Sequence, residues 1–234
     1  MSALAYKKQS LDSYNRYERI GYLRAQLYTI GDLEVILPDI LTKWSNKNIK
    51  VIVVHDERDQ HIVAFLPIID SRDSSASYIH STKFNYEALL AQCGQDSFLE
   101  IGEVEVLDER QSHRARALIW QLVYQYCSAE NIGYIIGCIA FSGRYPAIHA
   151  VTLSYLYHFH RCEPALIAPA YNGVTMDIMP KEAIRANEAR SLLPAQLRYC
   201  LRHGAKVGTD IFVDTKTNQC KIFVLMPVGK YLTR

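Results

Sequence analysis

The chain has 234 residues, a formal net charge of +2 at neutral pH, 49% hydrophobic residues and 21% charged residues. This composition is that of a globular protein with a full core, and the small net charge excludes a strong basic field for binding nucleic acid. The six cysteines form no CxxC pair and no Cys/His cluster, and no apolar run reaches the roughly 18 residues that span a membrane. We therefore expect free thiols, no metal site, no nucleic-acid partner and a cytoplasmic location.

The N-terminal part of the sequence is expected to hold a loose segment followed by a helix. Residues 1–15 are polar and are expected to be flexible. No repeat, low-complexity tract or linker divides the remainder, so residues 16–234 are expected to form a single domain. Apolar side chains at helical spacing predict an amphipathic helix over residues 33–47, although Pro38 lies in its middle.

The central part of the sequence predicts a β-hairpin and then a strand–helix–strand unit. Residues 50–55 and 61–69 are apolar runs separated by a polar turn, which is typical of a hairpin. Residues 98–106 predict a third strand, and a stripe of apolar side chains predicts a helix over residues 114–130. The next strand, residues 134–141, is nearly all apolar and is expected to be buried on both faces. This order indicates a βαβ unit.

Glycines mark the ends of the predicted helices. Gly133 is expected to adopt the left-handed conformation after the central helix, and Gly204 ends a helix predicted over residues 192–203. Residues 211–214 and 221–228 predict two further strands joined by a polar turn. The predicted fold class is therefore α/β with a mixed sheet.

The strand over residues 98–106 carries the first candidate for catalytic chemistry. Alternation along the strand places Glu100 on the same face as Gly102. Val104 and Val106 share that face, so the carboxyl is expected to be partly desolvated, which raises its pKa towards that of a general base. The alternative for Glu100 is a salt bridge at a sheet edge. A glycine within a strand indicates a bulge with a free N–H that polarises a carbonyl, or plain close packing.

Two further segments carry charge that suits an anion. The loop over residues 108–114 enters a helix N-terminus beside Arg110 and Arg114, a setting for a phosphate, although a solvated loop has the same pattern. Residues 181–206 contain six basic and two acidic side chains, a net charge of +4. Such a segment attracts an acidic carrier protein, anionic lipid or RNA, or it is a solvated helix face.

Three stretches, in chain order, resemble one known family. Residues 100–103 (EIGE) are similar to a Glu-Leu-Gly-Arg strand, and residues 137–143 (GCIAFSG) are similar to a Gly-Cys-Ala-Ser-Phe-Pro-Gly strand end. Residues 193–207 and 214–227 are similar to a C-terminal signature. The family is that of the bacterial ornithine/amino-acid N-acyltransferases, relatives of the acyl-homoserine-lactone synthases.

The resemblance implies a fold, an activity and a set of site residues. The fold is GNAT-like, with a mixed, mostly antiparallel sheet flanked by helices in a single domain. The activity is transfer of a fatty acyl group from an acyl carrier protein or CoA thioester to the amino group of an amino acid such as ornithine, with no bound cofactor and with peripheral inner-membrane contact as an option. The implied residues are Glu100 and Gly102 for catalysis, Val104, Val106, Arg110, Gln111, Ser112, His113 and Arg114 for the acyl thioester and its pantetheine arm, and Arg198, Arg202 and Lys206 for docking of the carrier protein.

The sequence departs from the family pattern at three positions where the family has arginine. These positions hold Pro67, Glu103 and Gln111. A site that holds a phosphopantetheine or a substrate carboxylate loses charge by these changes. Three explanations stay open: the amine substrate is a different one, such as a basic or uncharged amine; neighbouring arginines such as Arg110 compensate; or catalysis is lost. The alternative hypothesis for the function is a non-catalytic GNAT-like domain that binds a carrier protein, an acyl chain or a membrane surface without turnover.

Overall fold

The computed structural model describes residues 18–33, 49–73, 78–92 and 97–229. The predicted flexible segment 1–15 and all but the first residue of the predicted helix 33–47 lie outside these residues. The chain divides into two compact units. Of the described residues, 18–33, 49–69, 73 and 101–130 form the first unit, and 70–72, 78–92, 97–100 and 131–229 form the second.

The first unit is a set of antiparallel strands covered by one long helix. Its elements are β1 (Glu18–Ile20), β2 (Leu23–Thr29), α1 (Ile30–Leu33), β3 (Lys50–Asp56), β4 (Ile62–Asp70), β6 (Glu105–Val106) and α3 (Ser112–Ala129). Each strand from β1 to β4 pairs with the next along the chain, and the short β6 pairs with β4. Helix α3 packs against β1, β2 and β3 through a stripe of buried side chains from Ala115 to Cys127.

Strands β3 and β4 form the hairpin that the sequence predicts. The two strands pair antiparallel from Lys50 opposite Ile68 to His55 opposite Ile62. All but the first residue of β4 and most of β3 are buried, which explains why both runs are almost entirely apolar. The polar turn between them contains Gln60 with a φ of 61°.

Three turns are closed by the same local ion pair between an aspartate and the arginine two residues later. In each, the aspartate accepts a hydrogen bond from the backbone N–H of the arginine and from two nitrogens of its guanidinium. Such bidentate pairs are among the stronger hydrogen bonds in proteins. They fix the direction in which the chain leaves the preceding segment. The three pairs are Asp56 with Arg58, Asp70 with Arg72, and Asp108 with Arg110.

The second unit is a mixed sheet with helices. The elements are α2 (Glu87–Gln92), β5 (Phe98–Ile101), β7 (Tyr134–Ser142), α4 (Ala150–His160), β8 (Val174–Thr175), α5 (Ala186–Leu192), α6 (Ala195–Arg202), β9 (Lys206–Asp214) and β10 (Gln219–Pro227). Strand β5 pairs in parallel with β7, and β7, β10, β9 and β8 then pair antiparallel in that order. Helix α4 packs against β9 and α5.

An aromatic cluster forms the part of this core nearest to Glu100. Phe98 and Phe223 are fully buried and come from β5 and β10. Phe84 and Tyr86, from the segment before α2, pack on Phe223 with ring centroids 6.1 and 6.3 Å away. The segment over residues 78–86 is thereby held against the sheet of the second unit.

The strand–helix–strand prediction is confirmed, with one correction in its first strand. The chain runs from β5 through α3 to β7, and β5 pairs with β7 in parallel. The strand expected over residues 98–106 is interrupted at residues 102–104 and resumes only as the two-residue β6. The face shared by Glu100 and the two valines therefore does not continue as one regular strand.

Two predicted helix ends also differ from the structure. Asn131, with a φ of 53°, takes the left-handed conformation expected of Gly133. The helix expected over residues 192–203 begins only at Ala195, because Leu193 and Pro194 are extended between the end of α5 and the start of α6. Gly204 does end α6, with a φ of 84°.

The predicted fold class is confirmed. Of the strand pairs described above, only β5 with β7 is parallel, and helices accompany the strands in both units. The terminal strands 211–214 and 221–228 are present as the longer hairpin of β9 and β10. No helix in the described part of the chain has both the length and the apolarity needed to cross a membrane.

Candidate active site

Glu100 is a fully buried carboxylate enclosed by hydrogen-bond donors. It lies on β5, opposite Ile136 of β7, and its exposed fraction is 0%. One oxygen, Oε2, accepts a hydrogen bond from the N–H of Ile79 at 2.5 Å. The other, Oε1, accepts from the N–H of His80 at 2.9 Å and from the hydroxyl of Tyr86 at 2.8 Å. The carboxylate therefore ties the loop over residues 78–84 to the sheet of the second unit.

Burial perturbs the proton affinity of this carboxyl group. Desolvation raises the pKa of Glu100 from 4.5 to about 7, although the hydrogen bonds from His80, Tyr86 and Ile79 and the charge of Lys83 act in the opposite direction. Burial, followed by the charge of Glu100, raises the pKa of Tyr86 well above 10. At neutral pH the carboxyl group thus exists in both protonation states beside a phenol that keeps its proton.

A histidine and a cysteine extend this cluster. The ring nitrogens of His80, a residue only 3% exposed, lie 3.5 and 3.7 Å from the Sγ atom of Cys138. Cys138 is partly exposed on β7, in the stretch that resembles the family's Gly-Cys strand. The charge of Cys138 also contributes to the raised pKa of Tyr86, which places the thiol near the phenol.

The partners of Glu100 were not anticipated from the sequence. Ile79, His80 and Tyr86 lie 14 to 21 residues before it, in a segment without periodicity. The only local sign is a run rich in aromatic residues over 78–86, which is equally typical of core packing. The prediction that Glu100 is desolvated agrees with its position, whereas the alternative of a surface salt bridge does not.

Gly102 packs against Pro67 and does not offer a free N–H. Its backbone N–H donates to the carbonyl of Pro67 at 2.9 Å. A Cβ atom at this position would lie 2.5 Å from Cγ of Pro67, so only glycine allows the approach. The expectation that this N–H polarises a thioester carbonyl is therefore wrong in this conformation, because the group is already paired.

The segment expected to bind the acyl thioester belongs to the first unit. Val104 and Val106 are half-buried on either side of Glu105. The guanidinium of Arg110 is bound to Asp108, so its charge is balanced within its own turn. The side-chain amide of Gln111 donates to Asp56 at 3.1 Å.

The N-terminus of α3 follows directly. Gln111 is the N-cap residue and makes no side-chain capping bond, and the helix begins at Ser112. His113 and Arg114 are exposed in its first turn. A helix N-terminus with exposed basic side chains is a setting in which an anion is stabilised.

The turn between β3 and β4 contains a group that was not expected from residue spacing. One ligand atom each of Asp56, Asp59 and His61 lies within 4.8 Å of the others. Asp56 accepts hydrogen bonds from Arg58 and Gln111, and Asp59 pairs with His61 at 2.5 Å. Contacts inside the first unit thus account for this group.

The residues predicted to dock a carrier protein lie in the second unit. Arg198 and Arg202 are exposed on α6, one turn apart, and Lys206 is exposed at the start of β9. Arg198 and Arg202 also line one pocket together. Their role as a docking surface stays a prediction.

Comparison with known proteins identifies relatives. No family model matches the chain. It is 30% identical over 181 residues to the L-ornithine N(alpha)-acyltransferase of Rhizobium meliloti, covering 76% of this chain and 61% of the relative. It is 33% identical over 138 residues to the L-ornithine N(alpha)-acyltransferase of Brucella abortus, covering 58% and 49%. The resemblance inferred from the sequence motifs is thereby confirmed, and the chain spans about half to three fifths of the length of these relatives.

Solved structures show a weaker similarity. FeeM, an N-acyl amino acid synthase from uncultured soil microbes, is similar with a TM-score of 0.36 and 11% identity, covering 76% of this chain and 97% of that protein. Acetyl-CoA-bound NAA60 of Arabidopsis thaliana is similar with a TM-score of 0.37 and 13% identity, covering 88% and 99%. Similarities of this degree add nothing about the function of the chain.

Proposed function

Because the chain is a relative of L-ornithine N(alpha)-acyltransferases, we propose that it transfers a fatty acyl group from a thioester to the amino group of an amino acid such as ornithine. The observation that carries this proposal is the enclosed carboxyl group of Glu100. Its pKa is raised to about 7, and it accepts a hydrogen bond from the hydroxyl of Tyr86. Acyl transfer to an amine releases a proton, and a group with a pKa near the working pH is suited to accept it.

The hydrogen bonds around Glu100 suggest a route for that proton. The amine nitrogen attacks the thioester carbonyl, the C–N bond forms and the C–S bond breaks. The proton lost by the amine passes to the oxygen of Tyr86 while the hydroxyl proton of Tyr86 moves to Glu100. The released thiolate then takes up the proton stored on Glu100 by the reverse relay through Tyr86, which returns Glu100 to its anionic form. In this route Tyr86, which is 4% exposed, relays the proton, and Glu100 both holds Tyr86 in place and stores the proton.

The acyl donor belongs to the finer part of the proposal. We assign the thioester and its pantetheine arm to Val104, Val106 and the start of α3, since the N-terminal turn of a helix favours a phosphate. We assign docking of an acidic acyl carrier protein to Arg198, Arg202 and Lys206. Peripheral contact with the inner membrane would use the same basic region.

A second candidate is a binding domain without turnover. The observation that favours it is the structural use of two positions where the family has arginine. Pro67 packs on Gly102, and Gln111 binds Asp56. Neither position supplies a cation, and the third, Glu103, is exposed. In this reading the chain holds an acyl carrier protein, acyl chain or membrane surface only.

The test is amine-dependent release of free thiol from a long-chain acyl carrier protein and from acyl-CoA. A panel of amino acids and polyamines is used, and mass spectrometry identifies the N-acyl product. Tyr86→Phe removes one hydroxyl and keeps the ring, so kcat is expected to fall about 100-fold, the scale of a lost proton-transfer group. Tyr22→Phe, at a 63% exposed position, is the control and is expected to match the wild type.

The outcomes separate the two candidates. Release that requires an amine and is lost in Tyr86→Phe supports the acyltransferase and its proton route. Release that Tyr86→Phe leaves unchanged removes the proton route. No release with any amine or donor, while the acyl carrier protein still binds, selects the binding domain. In that case Glu103→Arg is expected to create turnover if the missing cation is the cause.

A further inference from the structure

A pocket in the second unit combines apolar walls with a strongly basic rim. Its volume is about 490 Å³, within the range of pockets that hold small ligands. The walls come from Tyr155, which is 2% exposed, and from Leu193 and Leu201. The remaining lining residues are His160, Arg190, Arg198 and Arg202.

The described lining residues include three arginines and no carboxylate. Arg190 lies on α5, and Arg198 and Arg202 lie one turn apart on α6. Lys206, just beyond α6, is close enough to act on the charge of His160. Three guanidinium groups with no carboxylate among the lining residues create a positive potential at the rim of the pocket.

A chain of hydrogen bonds fixes one of these arginines in place. Nε of Arg190 donates to the hydroxyl oxygen of Tyr155 at 2.9 Å, and that hydroxyl lies 3.0 Å from Nε2 of His160. Burial, then the charges of Lys206 and Arg190, lower the pKa of His160. In the neutral ring favoured by this shift, Nε2 accepts the proton of Tyr155. These hydrogen bonds fix the guanidinium of Arg190 at the wall of the pocket.

From this arrangement we propose that the pocket binds a phosphate monoester. A dianion matches several cations better than a single carboxylate does, and the planar guanidinium binds phosphate oxygens in pairs. The apolar walls accommodate the carbon portion of the ester. None of the lining residues is among the hydrogen-bond partners of Glu100, so the inference does not depend on the proton route of the proposed function, although Arg198 and Arg202 also belong to the region assigned above to docking of a carrier protein.

Two sources of such a group are distinguished by two arms of one experiment. In the first arm, inorganic phosphate and glycerol 3-phosphate are titrated into the protein by calorimetry. In the second arm, sedimentation measures binding to phosphatidylcholine vesicles with and without phosphatidic acid. The variant Arg198→Gln/Arg202→Gln removes two rim charges. The matched control Lys181→Gln/Arg185→Gln removes two exposed charges from the same basic segment but outside the pocket.

The expected result is binding in at least one arm that weakens roughly 10- to 100-fold in the rim variant and changes little in the control. Binding only in the first arm identifies a soluble ester, and binding only to phosphatidic acid identifies a lipid. Absence of binding in both arms overturns the proposal, even if a carrier protein still docks. Equal losses in the two variants also overturn it, because they show attraction to general positive charge.

His160 supplies an independent readout. Arg190, Lys206 and Tyr155 are the groups that act on it or contact it from the surrounding elements. A bound dianion offsets the two cations, so the pKa of His160 in the wild-type protein is expected to rise when phosphate is added. NMR titration of the imidazole measures this shift. A pKa that phosphate leaves unchanged, in a protein that binds phosphate, places the anion elsewhere and refutes the pocket assignment.

Discussion

The Glu100→Gln variant removes the titratable group while keeping the size of the side chain. The N–H groups of Ile79 and His80 point at different oxygens of the carboxyl group. Gln has one acceptor oxygen, so in either orientation one of these N–H groups faces the side-chain NH2. A buried N–H without an acceptor costs about 1–3 kcal/mol. A protonated Glu100 avoids this cost, because its hydroxyl oxygen still accepts, and the variant is therefore less stable at low pH.

The size of this difference depends on pH in a direction set by burial. The folded-state pKa of Glu100 is about 7 and the unperturbed value is 4.5. Between these values the folded protein keeps a proton that the unfolded chain has released. The stability that the folded protein gains from this more tightly held proton is fully present below pH 4.5 and is lost as the pH rises through 7. The loss is about 1.4 kcal/mol per pH unit and about 3 kcal/mol over the window. Gln has no such proton, so its deficit shrinks as the pH rises.

Urea unfolding of both proteins over a series from about pH 5 to about pH 8 measures the effect, because the free energy of unfolding extrapolates linearly to water. The difference between wild type and Glu100→Gln is expected to fall across the series. Glu182→Gln, at an exposed position, serves as the control and is expected to show no such trend. A difference that stays constant or grows with pH would refute the reasoning. It would mean that the three hydrogen bonds to the anion outweigh its desolvation.

Three further outcomes follow from the packing of single residues. Gly102→Ala is expected to lower the free energy of unfolding by about 1–3 kcal/mol, because the added methyl group would contact Pro67. In the double variant, Pro67→Ala should recover part of this loss. Strictly additive effects of the two substitutions in urea unfolding would argue against the contact. Gly204→Ala places a side chain at a φ of 84° and is expected to cost about 1 kcal/mol, so an unchanged Tm would contradict it. Burial raises the pKa of Cys162 to about 12 and that of Cys200 to about 11. Neither thiol should therefore react with a disulfide reagent at mildly alkaline pH in the folded protein. Peptide mapping that finds either cysteine labelled in the native protein would contradict this expectation.

Regular patterns predicted much of the fold. The hairpin of β3 and β4, the helix α3 and the strand β7 all bury side chains at the period of their own element, so periodicity locates them within a few residues. Helix α4 was missed because its residues are apolar on most sides, and no period separates a core face from a solvent face. Strand β9 was predicted too short, since Lys206 to Asp210 alternate weakly.

The site was only partly accessible to the same reasoning. The position of Glu100 between apolar neighbours on a strand correctly indicated desolvation. The donors that enclose it come from a loop whose approach is fixed by aromatic packing on the sheet, and no local pattern encodes such a contact. The hydrogen bond between Gly102 and Pro67 could not be predicted for a similar reason, because the two residues lie 35 positions apart in the sequence. Interactions at this sequence separation are properties of the tertiary structure.

The Asp-x-Arg turns bear on the order in which the chain folds. A contact between residues two positions apart closes a very small loop, so it forms with little loss of chain entropy and on a fast timescale. The turn of Asp56 and Arg58 directly joins β3 and β4, which places this hairpin among the early structures. The parallel pairing of β5 with β7 instead brings together Phe98 and Tyr134 across the whole of α3. That non-local step is expected to be slow, so the loop that encloses Glu100 becomes ordered only near the end of folding.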